Sequence, residues 1–99
     1  MIRDERNIMM DKLKEYRNKI DEIDKKITEL FEQRMDLSKE IARCKKENEI
    51  GILNAKREEE VIQKNLYHLK NKEYRFVLEG FFRNLMNLSK LIQDEENRH

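Results

Sequence analysis

The stretch LKEYRNKIDEIDKKITELFEQRMDLSKEIARC, residues 13–44, decides the fold. Its Leu13, Tyr16, Ile20, Ile23, Ile27, Leu30, Arg34, Leu37, Ile41 and Cys44 recur at spacings of three and four. That is the a/d seam of a heptad repeat. No Gly or Pro interrupts it, and the spacing predicts one helix from about Asp11 to Lys46. At 1.5 Å per residue such a helix is roughly 50 Å long, well beyond an ordinary globular helix. Two short elements of the same chain cannot wrap so long a seam. The helix is therefore expected to pair with a second copy of itself.

The pattern breaks in ENEIGILN, residues 47–54, with Gly51 as the punctuator and Asn54 as an N-cap for the next helix. That second helix is expected from about Ala55 to Leu69, its apolar stripe being Val61, Ile62, Leu66 and Leu69. Lys70–Lys72 reads as a polar turn. A third helix is expected from about Glu73 to Asp94, with Val77, Leu78, Phe81, Phe82, Leu85, Leu88 and Ile92 as its stripe. Tyr74, Phe76, Phe81 and Phe82 read as helix core, and Cys44 as a small buried hydrophobe on the seam. The expectation is thus one all-α domain over residues 1–99, with one very long and two shorter helices. Its core covers about residues 11–94, with an N-terminal extension (1–10) and a frayed end (95–99).

Composition supports this class. Of the 99 residues 43% are charged and 37% hydrophobic, with no Pro and only 2 Gly, which suits long helices with wet outer faces. The 22 basic and 21 acidic residues nearly cancel, which argues against a dedicated nucleic-acid binder and against disorder driven by net charge. No run of apolar residues approaches a membrane span, and the charged start MIRDERNIMMDK is unlike a signal peptide. Cys44, the one cysteine, has no intrachain partner, and a reducing cytoplasm is the simplest compartment.

Several polar residues disobey the apolar patterns. Arg34 sits on the seam itself. A buried guanidinium is costly, so it should meet an anion or line a cavity; a polar seam residue can also fix coiled-coil register. Arg17 and Lys45 share a flanking heptad position with Asp24, Phe31 and Ser38, where charges are normally solvated. Glu58 falls in line with Ile62 and Leu69, preceded by Arg57, although a Glu in a first turn also simply suits the helix dipole. Ser89 and Gln93 extend the row Leu78, Phe82, Leu85 with a hydroxyl and an amide one turn apart, or else mark a wet helix end. Together these are cations and hydrogen-bonding groups without a nucleophile, and His68 has no companion at metal-ligand spacing. The set suits a compact polyanion held by charge-assisted hydrogen bonds. It suits a reaction that needs positioning and electrostatic stabilisation, not hydrolysis or group transfer.

The stretch YRNKIDEIDKKITELFEQRMDLSKEIARCKK (16–46) resembles the first helix of the all-helical chorismate mutases. NAKREEEVI (54–62) resembles the start of their second helix and FFRNLMNLSKLIQ (81–93) their third. The resemblance, to the short form with this one activity, covers about residues 11–93. Its most specific part is the ordered set Arg17, Arg34, Lys45, Arg57–Glu58, Ser89, Gln93. It implies conversion of chorismate to prephenate on the route to phenylalanine and tyrosine, by an intramolecular sigmatropic shift without cofactor or metal. Arg17, from the partner subunit, and Arg34 would hold the substrate carboxylates. Lys45 and Gln93 would donate to the ether oxygen, Lys45 also reaching a carboxylate. Arg57 would support the site's charge, Glu58 would accept from the ring hydroxyl, and Ser89 would bind near a carboxylate. Asn54 stands where the family often has Asp; its cap and a backbone contact survive that change, while a carboxylate contact to the hydroxyl does not.

The resemblance also bears on assembly. Arg17 and Lys45 lie 28 residues apart, roughly 42 Å on one helix. Both can serve one site only in an intertwined antiparallel homodimer, with Arg17 of one chain between Arg34 and Lys45 of the other and the two-fold axis near residue 28. Two rivals share parts of the pattern. An isochorismate-pyruvate lyase of the same fold would share the basic pocket, but the Glu58–Ser89–Gln93 set favours the mutase. A non-catalytic helical dimer or regulatory subunit explains the seam and leaves Arg34, Ser89 and Gln93 unexplained.

Overall fold

The computed structural model describes residues 4–51 and 54–98, which form three α-helices and one turn of 3-10 helix, with no strand among them. Helix α1 spans Glu5–Glu47, α2 spans Ala55–His68, a 3-10 turn covers Lys72–Tyr74, and α3 spans Arg75–Asn97. The all-helical class is as the heptad pattern predicts. Residues up to Gln33 form one compact unit and those from Arg34 onward a second.

Helix α1 starts six residues earlier than its apolar periodicity suggests. Asp4 supplies the reason: its side-chain Oδ1 accepts from the Asn7 N–H at 2.8 Å, and its carbonyl accepts from the Ile8 N–H at 3.2 Å. An Asp at this position satisfies amides that the first turn would otherwise leave bare. Of the stretch 1–10 expected to be an extension, residues 5–10 are therefore helix, while residues 1–3 lie outside the described residues. At the other end the stop signal is not Gly51. Glu49 adopts a left-handed φ of 57°. Its N–H bonds the Lys46 carbonyl at 3.2 Å, and the Ile50 N–H bonds the Lys45 carbonyl at 2.7 Å. This pair of reversed bonds satisfies the last carbonyls of α1.

Asn54 caps α2, accepting from the Arg57 N–H at 3.0 Å. The helix ends one residue before the expected Leu69, whose N–H still reaches the Asn65 carbonyl at 3.2 Å. Lys72 Nζ donates to the Leu66 carbonyl at 2.6 Å, and Asn71 caps the 3-10 turn through the Glu73 N–H at 3.0 Å. The turn thus occupies the place given to the start of the third helix. Helix α3 then runs on to Asn97 instead of fraying after Asp94. Two ties from α1 hold this end: Arg43 Nε pairs with Glu96 Oε1 at 2.7 Å, and Lys46 Nζ donates to the Asn97 carbonyl at 3.4 Å.

The core of the second unit is Val61, Ile62 and Met86, with Leu66 and Phe82 packed against it. Ile62 is 1% exposed, a burial that contributes roughly 1.5–3 kcal/mol. Met35 and Ala42 of α1 and Leu85 of α3 are buried as well. Two sequence expectations fail here. Cys44 is exposed rather than buried. Tyr74, Phe76, Val77, Phe81 and Leu88 are exposed in the single chain, and the α3 face that is buried carries Leu85, Met86, Ser89 and Gln93. The buried face is set by where α2 packs, so the polar row lies inward and, of the aromatics expected in the core, Phe82 alone packs there. The seam residues Leu13, Tyr16, Ile20, Ile23, Ile27 and Leu30 are exposed in the single chain, as are Leu37 and Ile41.

Candidate active site

A cavity of about 350 Å³ lies within the second unit, bordered by all three helices. Helix α1 supplies Arg34, Ser38 and Lys45, with Leu37 and Ile41 as apolar wall. Asn54, Arg57, Glu58 and Val61 come from the start of α2, and Met86, Ser89, Lys90 and Gln93 from α3. Its volume falls in the range of small-molecule sites. Four cationic side chains face one carboxylate, an arrangement that attracts a small anion with more than one charge.

The helical period explains how these residues meet. Arg34, Ser38 and Lys45 recur at four and seven residues and so lie near one another on α1. Ser89 and Gln93 are one turn apart on the buried face of α3. The Arg34 guanidinium donates through Nη1 to Ser89 Oγ, joining α1 to α3. Ser89 Oγ donates in turn to the Leu85 carbonyl at 3.0 Å, and Ser38 Oγ to the Arg34 carbonyl at 3.0 Å. Arg34 is thereby held at side chain and backbone. Burial, and secondarily the charge of Arg57, pushes the Arg34 pKa below its ordinary value. Both effects disfavour the cation where it stands, so a bound anion would relieve them.

Gln93 is 8% exposed, and its Oε1 is a buried acceptor without a hydrogen-bond partner among the described residues. The two ends of an amide are nearly isosteric, so a half-turn of the group presents either a donor or an acceptor to a ligand. Glu58 Oε1 pairs with Lys90 Nζ at 2.6 Å. Arg57 Nη1 lies 3.7 Å from Glu60 Oε2, an exposed pair.

Seven of the eight sequence-predicted residues, Arg34, Lys45, Asn54, Arg57, Glu58, Ser89 and Gln93, line this one cavity. The eighth, Arg17, belongs to the first unit, where it is exposed on α1. Of the polar lining residues, sequence reasoning missed Ser38, and it missed Lys90. Lys90 follows buried Met86 by four residues and precedes Gln93 by three, a helical spacing that could have placed it on the same face. Among the described residues no group of three His, Cys, Asp or Glu could hold a metal ion, and no helix is long and apolar enough to cross a membrane.

The fold and the cavity define an all-helical protein with a cation-rich pocket for a small polyanion. The family model for chorismate mutase type II matches residues 16–94, and the chain belongs to that family. As such it is an isomerase, a chorismate mutase. Neither a search of curated proteins nor one of solved structures returned a match.

Proposed function

We propose that the cavity converts chorismate to prephenate in the route to phenylalanine and tyrosine, using residues of two chains and no cofactor. The observation that carries this reading is the convergence of seven family-pattern residues around one pocket of about 350 Å³. Chorismate carries two carboxylates, and planar guanidinium forks orient such groups. Arg34 takes one carboxylate with Ser89 beside it, and Arg57 adds positive potential. Glu58 accepts from the ring hydroxyl. Asn54, at the α2 N-terminus, offers a neutral amide where a carboxylate is common in the family.

The rearrangement stretches a carbon–oxygen bond and builds negative charge on the ether oxygen. Donors from Lys45 and Gln93 strengthen as that charge develops, so they bind the transition state better than the substrate. Holding the substrate in its folded conformer removes much of the remaining entropic barrier. No covalent intermediate is needed, in keeping with a pocket that presents cations, amides and hydroxyls.

The site is completed by a second copy of the chain. The exposed seam of Leu13, Tyr16, Ile20, Ile23, Ile27 and Leu30 supports this, because a heptad row of that length finds its natural cover in another such row. Run antiparallel about an axis near residue 28, the partner copy brings its own Arg17 to the cavity, and two equivalent sites result. The single thiol, Cys44, suits a reducing cytoplasm.

The test is product analysis with purified protein and two substrates. Chorismate absorbance is expected to fall with formation of prephenate, while isochorismate stays unchanged. Pyruvate release from isochorismate would make the protein a lyase of the same fold, and inertness toward both would make it a non-catalytic helical dimer.

A further inference from the structure

Lys90 lines the cavity, and the proposed rearrangement gives it no task. Its Nζ lies 2.6 Å from Glu58 Oε1, with the two side chains 31% and 28% exposed. The α2–α3 ion pair of Arg83 with Glu59, at 3.7 Å, is looser, more exposed and away from the pocket. A pair this accessible contributes little to stability, so its value is better sought in what it does to Glu58. Among the described residues Glu58 is the one carboxylate in a pocket that also holds Arg34, Lys45 and Arg57. Without a fixed partner it could turn toward any of these cations and occupy a donor intended for the substrate.

We propose that Lys90 is a positioning residue that acts through Glu58 and sets recognition of the substrate's ring hydroxyl. This rests on the chorismate reading of the site. Lys90 engages Oε1, and a carboxylate has more acceptor positions than one ammonium fills. The remaining lone pairs are then held in a constant direction, toward a hydroxyl donor on the ligand. Lys90 does not touch the breaking bond, so it governs binding of the hydroxyl-bearing substrate and leaves the chemical step alone.

The experiment compares the parent with Lys90→Met and Lys90→Arg on two compounds: chorismate, and the analogue with the ring hydroxyl replaced by hydrogen. Both retain the two carboxylates, so the general attraction of a cation for a dianion is the same for each. Lys90→Met is expected to raise KM for chorismate roughly fivefold to tenfold, the effect of weakening one charge-assisted hydrogen bond. Its kcat should change less than twofold. For the analogue the rise in KM should be clearly smaller, because Glu58 has no hydroxyl to receive and only the lost positive charge, common to both compounds, is felt. Lys90→Arg, which keeps the ion pair, should keep the parent's preference between the compounds. An equal rise in KM for both compounds, or no rise for either, would overturn the proposal. Lys90→Gln, assayed in the same way, serves if the Met variant does not fold. A parent that turns over neither compound would instead defeat the chorismate reading itself.

Discussion

Gln93 is a buried polar side chain that lines the same cavity as Val61 and Met86, and burying an amide without full hydrogen bonding costs free energy that packing alone would not tolerate. A ligand that supplies the missing partner accounts for it. The role assigned to Gln93, a donor to the ether oxygen, has a consequence in pH. An amide donates at any ordinary pH, whereas a carboxyl group donates only when protonated, and an ordinary Glu is protonated below about pH 4.3. Gln93→Glu is therefore expected to lose about 10² in kcat near neutrality and to recover as pH falls, while the parent stays nearly flat. A profile of kcat against pH for each protein checks this; superimposable curves would remove Gln93 from the site. Arg34, Ser89 and Gln93 were legible in the sequence because each interrupts an apolar row. Lys90 was not. A lysine on a helix flank is solvated by default, and its pairing with Glu58 depends on how α3 lies against α2, which no local pattern encodes.

The end of α1 shows where element-scale reading stops. The heptad seam fixes the helix's existence, and Asn54 correctly marks the start of α2. The terminus itself depends on Glu49 accepting a left-handed backbone, with Gly51 two residues beyond. A side chain in that conformation costs roughly 1–2 kcal/mol, partly returned by the two reversed hydrogen bonds. Glu49→Gly removes the steric cost but adds unfolded-state entropy. A net stabilisation of about 0.5–1 kcal/mol is expected, read as a rise in the urea midpoint at fixed protein concentration; a fall would show that the Glu49 side chain contributes more than its strain. The early start of α1 was illegible for a different reason. Asp4, Glu5, Arg6 and Asn7 carry no apolar periodicity, and only the Asp4 cap announces the helix. On α3 the row of Phe82, Leu85, Ser89 and Gln93 was read on the correct face, but the stripe was drawn too wide: Phe76, Val77, Phe81 and Leu88 are exposed, and Met86 was left out of it.

At the scale of the whole molecule one demanding claim stands, that each site draws on two chains. Seven residues of the pattern surround one pocket, and Arg17 is exposed on α1 in the other unit. The seam that would carry the pairing was the clearest feature of the sequence, whereas the cover proposed for it would lie on a second copy and so leave no trace in one chain's burial. Subunit complementation tests the claim. Arg17→Ala and Arg34→Ala homodimers should each be nearly inactive toward chorismate. After the two are mixed, unfolded mildly and refolded together, about half the dimers are mixed. In a mixed dimer one site receives an intact Arg34 from the first variant and an intact Arg17 from the second, while the other site lacks both. Chorismate mutase activity should therefore return to roughly a quarter of that of the same concentration of parent sites. An inert mixture, with mixed dimers verified by mass, would contradict the shared site.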